Sequence, residues 1–237
     1  MQFDCSRIFM PYFYNDNYFE TFGEKYDNIS KRDFDYIKEN QPSIRTKGVM
    51  LDLACGSGAI GERFKSSVPS LKAIGVDISF NLLKWANISV CQADVSQLPF
   101  RANSIDHIIA AAAFHHFASV ESVIKECARC LKTNGSFVAY DPNLFHPQRL
   151  LMMTKPLRNL FYKIGDRAMS PIHFKSQLLK NGFNQIKISY FTFEGIKTGI
   201  YANINYRITK TILRCRLNWM LPFVSPWYLI SAIKKSD

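Results

Sequence analysis

Three aspartates stand where they could serve one ligand. Asp52 lies four residues before the first glycine of LDLACGSGAIG, whose Gly56, Gly58 and Gly61 complete a G-x-G-x-x-G run. Asp77 and Asp94 close two further apolar stretches, KAIGVDIS and ISVCQAD. A glycine turn of this kind can hold a pyrophosphate at a helix N-terminus. A carboxylate at Asp52 would face that anion in a partly dry cleft, where like charges repel strongly. A ligand with cationic groups and no phosphate turns the same carboxylate into an asset, while the glycines still let the backbone approach closely. At Asp77 an acid can accept both hydroxyls of a ribose, and Asp94 or its neighbouring amide can read an adenine amino group. Each of the two could be a helix N-cap, but three strand-end acids with the glycine turn at the first exceed what capping requires.

A second cluster could move a proton. His115 and His116 follow the fourth apolar stretch, and Asp141 ends the fifth. Neutral imidazole can take a proton from an acceptor hydroxyl, and an acid can orient the ring or share that role. Positioning alone is the competing account, because group transfer to a good nucleophile needs no base.

The elements that must hold these residues alternate. GVMLDLAC, KAIGVDIS, ISVCQAD, SIDHIIAAAA and GSFVAYD read as strands. AIGERFKSS, FNLLKWA and VESVIKECARCLK read as helices, the last stopped by Asn134-Gly135. Helix SPIHFKSQLLKNG and strands NQIKISYF and WYLISAI complete the chain. This alternation predicts an α/β fold: a Rossmann-like, doubly wound, mostly parallel seven-stranded sheet, with helices on both faces and an antiparallel last strand. One domain spanning 1–237 is expected, with an aromatic-rich helical cap over 1–47 and insertions at 144–170 and 195–222 on the acceptor side. In the second insertion Ile204, Ile208, Ile212, Cys215 and Trp219 share one helical side, and Arg207, Lys210 and Arg214 form a stripe at i, i+3, i+7. A packed lid with a solvated basic edge is one reading; a surface for an anionic acceptor or acidic lipid is the other.

With these residues in place the chain resembles the class I S-adenosylmethionine-dependent methyltransferases, in the group similar to the ubiquinone/menaquinone-biosynthesis enzymes (type 11). LDLACGSGAIG looks like their first motif, GVDIS their second, and QADVSQLPFRANSIDHII their D-x-x-x-LPF run. FHHF and CLKTNGSFVAYDPN match further along. The resemblance covers about residues 48–143, and the final helix and strands weakly. S-adenosylmethionine carries an ammonium and a sulfonium and no phosphate, as the acids ask. The resemblance implies a cofactor lining of Asp52, Ala54, Gly56, Gly58, Asp77, Ile78, Asp94, Val95 and Ala112, with Tyr26 as a covering residue. Ala54 departs from the glycine that many members have. Catalysis is expected of His115, His116 and Asp141, since related O-methyltransferases show a similar histidine-plus-acid arrangement. No metal is expected. The acid that metal-dependent relatives place after the fourth strand is missing, and Cys127-x-x-Cys130 lacks a second cysteine pair. The N/D-P-P-Y run of base-amine methyltransferases is missing too.

Charge divides the chain. Residues 1–143 hold 15 Lys and Arg against 16 Asp and Glu, whereas residues 144–237 hold 15 against 3. The back third carries the excess and suits an anionic partner. We expect methylation, at oxygen first, of a small-molecule, saccharide or lipid-linked acceptor. An NAD-dependent oxidoreductase, an RNA methyltransferase and a catalytically inactive cofactor-binding subunit stay open as alternatives. The N-terminus MQFDCSRIFM lacks a basic segment followed by an apolar one. No run approaches the ~18 apolar residues that span a bilayer, and the six cysteines are scattered. A cytoplasmic placement is expected, with peripheral contact at an acidic membrane open.

Overall fold

A computed structural model describes residues 30–40, 44, 47–152, 169–192 and 199–236 of the protein. A helix over 30–40 (α1) leads to β1 (Gly48–Leu53), α2 (Ala59–Ser67), β2 (Leu71–Asp77), α3 (Phe80–Leu83) and β3 (Ser89–Gln92). Then come β4 (Ile105–Ala111), a 3-10 turn (Phe114–His116), α4 (Val120–Cys130), β5 (Leu131–Pro142) and α5 (Pro147–Met152). The chain closes with α6 (Pro171–Lys180), β6 (Phe183–Phe191), α7 (Gly199–Arg214), a 3-10 turn (Asn218–Met220), α8 (Leu221–Val224) and β7 (Trp227–Lys234).

The seven strands form one sheet in the order β3-β2-β1-β4-β5-β7-β6. Neighbours run parallel except β7, which is antiparallel to both β5 and β6. The chain winds outward from β1 to β3 and then returns to lay β4 on the other side of β1. That reversal opens a crevice at the carboxyl ends of β1 and β4. The expected fold class is the observed one.

Alternating residues of each strand feed two cores, because strand side chains have a period of two. Leu51, Leu53, Ile108 and Phe137 pack under α4 and α6, where Val123, Ile124, Phe174 and Leu178 close the layer. Met50, Ile109 and Val138 face the other way, against Phe64 of α2 and Phe34 and Ile37 of α1. Helix α1 is further tied down by a hydrogen bond from the Tyr140 hydroxyl to Asp33 and by stacking of Tyr36 on Phe191 at 3.9 Å.

Two expectations are revised. Helix α4 ends at Cys130, four residues before Asn134, because Leu131 already pairs with Ile105 in the sheet. In α7 the packed side is Thr209 and Ile212, while Ile204, Ile208 and Cys215 are exposed. Arg216 then takes a left-handed φ of 56°, so Trp219 falls in the following 3-10 turn and outside the helical phase. Cys127 and Cys130 are both buried in the α4 core, where burial pushes the Cys127 thiol well above its usual pKa. Among the described residues no His, Cys, Asp and Glu cluster could hold a metal ion, and no helix is long and apolar enough to cross a membrane.

Candidate functional site

The turn between β1 and α2 is built from left-handed residues: Ala54 at φ 51°, Gly56 at 56° and Gly58 at 73°. Glycine adopts this region without strain and alanine does not. The departure at Ala54 therefore costs the turn some stability without altering its course. Gly61 has a different reason. A Cβ there would sit 2.7 Å from Ile88 Cδ1 and 3.2 Å from Asp52 Oδ2, so a larger residue would have to displace the Ile88 tip and crowd Asp52. Its N–H donates to Asp52 Oδ2 at 3.0 Å.

Asp52 is 1% exposed, and burial pushes its pKa up to about 7, with the Gly61 bond opposing and the nearby Asp77 adding to the rise. Asp77 is also buried, and burial raises its pKa in the same direction. Both Asp77 oxygens accept loop amides: Oδ2 from Gly56 N–H at 2.9 Å and Oδ1 from Ser79 N–H at 2.8 Å. Each oxygen keeps a second lone pair for a hydroxyl donor. Among the described residues neither carboxylate has a cationic side chain in an ion pair.

The remaining residues of the expected lining sit around this turn with unequal roles. Asp94 lies two residues beyond the end of β3, exposed, its Oδ1 accepting Ser96 N–H at 2.8 Å. The side chain of Val95 belongs to the core. Ile78 is half-buried, and its carbonyl accepts Gln92 Nε2 at 3.0 Å. Ala112, left-handed at φ 50°, donates its N–H to the Tyr140 carbonyl at 2.9 Å and so fixes the bend after β4. The LPF residues anchor the loop after Asp94. Leu98 N–H donates to Glu126, and Arg129 donates to the carbonyls of Leu98 and Phe100 at 2.8 and 2.7 Å. Tyr26 lies outside the described residues.

Across the crevice, His115 and Asp141 meet. Asp141 is fully buried at the end of β5, and its Oδ1 accepts both the His115 backbone N–H at 3.1 Å and Nδ1 at 2.7 Å. Its Oδ2 and the hydroxyl of Tyr228, which stands opposite it in the β5–β7 ladder, have no hydrogen-bond partner among the described residues. His116 packs its ring 3.8 Å from that of His115.

Sequence reasoning missed Asn143, which is completely buried just past β5. Its side-chain amide donates to the carbonyls of Pro222 and Ser225 at 2.8 Å each, and its own N–H donates to Pro226 at 2.9 Å. The Asp141-Pro142-Asn143 triplet was the signal: an amide two residues past a strand-end acid can clamp whatever overhangs it.

Residues 51–139 match the model of the Methyltransferase domain family. The chain is 34% identical to an uncharacterized chloroplastic methyltransferase of Arabidopsis thaliana, over 44% of this chain and 32% of that one. It is 31% identical to the demethylmenaquinone methyltransferase of Thermotoga maritima, over 51% and 58%. The matched part of the chain thus spans between about a third and three fifths of these relatives. Among solved structures, a SAM-dependent methyltransferase of Archaeoglobus fulgidus superposes with a TM-score of 0.66 at 17% identity, covering 92% of this chain and all of that one. S-adenosylmethionine fits the donor set. Two buried carboxylates lacking a cationic partner among the described residues suit its positive charges and its ribose hydroxyls, whereas a pyrophosphate would meet like charge.

Proposed function

We propose, on the premise that this chain belongs to the class I S-adenosylmethionine-dependent methyltransferases of type 11, that it methylates an oxygen of a small anionic or lipid-linked acceptor, with His115 as general base. The observation carrying this reading is the double contact of Asp141 Oδ1 with the backbone N–H and Nδ1 of His115. S-adenosylmethionine, when bound, supplies an electrophilic methyl group. Asp52, Asp77 and Asp94 with the backbone at Ala54, Gly56, Gly58, Ile78, Val95 and Ala112 would hold it.

An imidazole that donates Nδ1–H to a carboxylate is fixed in one tautomer, and its Nε2 keeps a free lone pair. That lone pair can accept the proton of an acceptor hydroxyl as the oxygen attacks, and Asp141 steadies the imidazolium that results. His116 packs its ring against that of His115, beside the base. Asp141 is a positioning residue.

The names of the Thermotoga and Staphylococcus aureus relatives, both demethylmenaquinone methyltransferases, support a small-molecule acceptor. The basic excess of residues 144–237 favours an anionic one. The test is methyl transfer from S-adenosylmethionine into polar, glycan, lipid and RNA fractions of a cell extract, with the product's methylated atom identified. Wild type should label a non-nucleic-acid fraction at oxygen and His115→Ala should not. Labelling confined to RNA, or equal labelling by both proteins, would end this reading.

A further inference from the structure

The surface made by α7, the turn after it and α8 combines two properties that seldom share a face. Ile204, Ile208, Leu213 and Leu217 are exposed, Trp219 is 70% exposed and Phe223 56%. Arg207, Lys210, Arg214 and Arg216 are exposed among them, and residues 199–236 contain no Asp or Glu. Helix α7 packs inward through Thr209 and Ile212. At 100° per residue, Arg207, Lys210 and Arg214 therefore point directly away from the protein, with apolar side chains along both flanks.

This surface is hydrogen-bonded to the His115–Asp141 edge. Leu221 and Ser225 are buried at the two ends of α8. Asn143, two residues past Asp141, holds the carbonyls of Pro222 and Ser225. Exposed aliphatic groups of this number gain nothing from a phosphodiester backbone, and the basic stripe gains nothing from an apolar protein groove. A bilayer satisfies both at once. Apolar side chains enter the boundary between headgroups and acyl chains, tryptophan sits at headgroup level, and guanidinium and ammonium groups meet lipid phosphates.

We propose that residues 199–224 form a peripheral docking surface for an anionic lipid bilayer, seated beside the His115–Asp141 edge. This goes beyond the methyl-transfer reading and does not depend on which acceptor atom is methylated. No described helix crosses a membrane, so the attachment is electrostatic and shallow, and salt weakens it.

The experiment is flotation of the full chain with vesicles of phosphatidylglycerol and phosphatidylcholine, and with phosphatidylcholine alone, at low and high salt. S-adenosylmethionine binding is measured in parallel as the check on folding. Wild type should float with the anionic vesicles at low salt only. The triple change Arg207→Glu, Lys210→Glu, Arg214→Glu should lower partition roughly tenfold or more. The pair Trp219→Ser, Phe223→Ser should lower partition and leave its salt dependence. Vesicles should shift the tryptophan emission to the blue, and Trp219→Phe should remove that shift. The proposal is overturned if wild type floats with neither vesicle, if it floats equally with both, or if both variants match wild type. It is also overturned if the chain is retained by RNA and not by vesicles. Loss of S-adenosylmethionine binding in the wild type would instead count against the methyltransferase reading.

Discussion

Asp77 and Asp141 are both buried carboxylates at the carboxyl end of a strand, and the two are employed in opposite ways. Asp77 accepts two backbone amides from the loops it faces, one at Gly56 and one at Ser79. It shapes a turn, and what it offers a ligand is the remaining lone pairs. Asp141 gives one oxygen to a single residue, His115, through backbone and ring, and leaves the other without a hydrogen bond among the described residues. It orients a side chain. The lesson is that burial alone does not define a carboxylate's role; the donors around it do. On the β1–β3 side the donors are backbone amides. On the β4–β5 side the donor is the imidazole that we propose as the base.

The comparison breaks most easily at His115. Replacing it by alanine should lower turnover by roughly 10²-fold or more with cofactor affinity unchanged, while His116→Ala should stay close to wild type. Steady-state kinetics with calorimetry of cofactor binding decides it. Equal losses in the two variants would remove the distinction drawn between the histidines.

Asp77→Ala should act in the opposite sense, on binding before chemistry. Removing a charged acceptor of hydrogen bonds costs about 1.5–3 kcal/mol, a loss of roughly 10- to 150-fold in S-adenosylmethionine affinity. Turnover at saturating cofactor should hold. A mutant that binds normally but turns over slowly would exchange the roles of the two aspartates.

Asp52 sharpens the comparison through pH. Its pKa stands at about 7 in the chain alone, and a bound cation favours the charged carboxylate and pulls that pKa down. Binding therefore releases a proton below about pH 7, and affinity should rise with pH by up to about tenfold per unit, then level off above pH 7. Calorimetry in buffers of different ionisation enthalpy reads the proton directly. Asp52→Asn should flatten the slope; an unchanged slope would place the titrating group elsewhere.

The smallest effect expected is at Asn143. Asn143→Ala leaves the Pro222 and Ser225 carbonyls without their donor, at about 1–3 kcal/mol of stability. Thermal unfolding measures it, and the acceptor Michaelis constant should rise more than that of the cofactor. Unaltered stability would mean that α8 is held by packing at Leu221 and Ser225 alone.

Local rules made much of this protein legible. The strand and helix alternation predicted the sheet, because a period of two and a period of 3.6 are written directly in the residue order. The glycine turn and Asp52 were visible for the same reason: they are neighbours in sequence. The run that starts at Asp94 and Val95 also has a packing role that residue order does not show. The D-x-x-x-LPF run looks like a ligand-binding signature, yet Leu98 and Phe100 hold their loop to Glu126 and Arg129 of α4, a contact between residues some thirty positions apart.

What the sequence by itself determined is the framework: the order of elements, the left-handed turn that Gly56 and Gly58 permit, and the split between a nearly neutral front and a basic back. These follow from backbone preference, periodicity and charge, all of which act locally or by simple summation. Tertiary structure decided which histidine meets Asp141, that Asp52 is buried deeply enough to hold a proton near neutrality, and that α7 turns Thr209 and Ile212 inward while its isoleucines at 204 and 208 stay exposed. Each of these depends on distance and desolvation between residues far apart in the chain, and those quantities are set only once the helices have packed on the sheet.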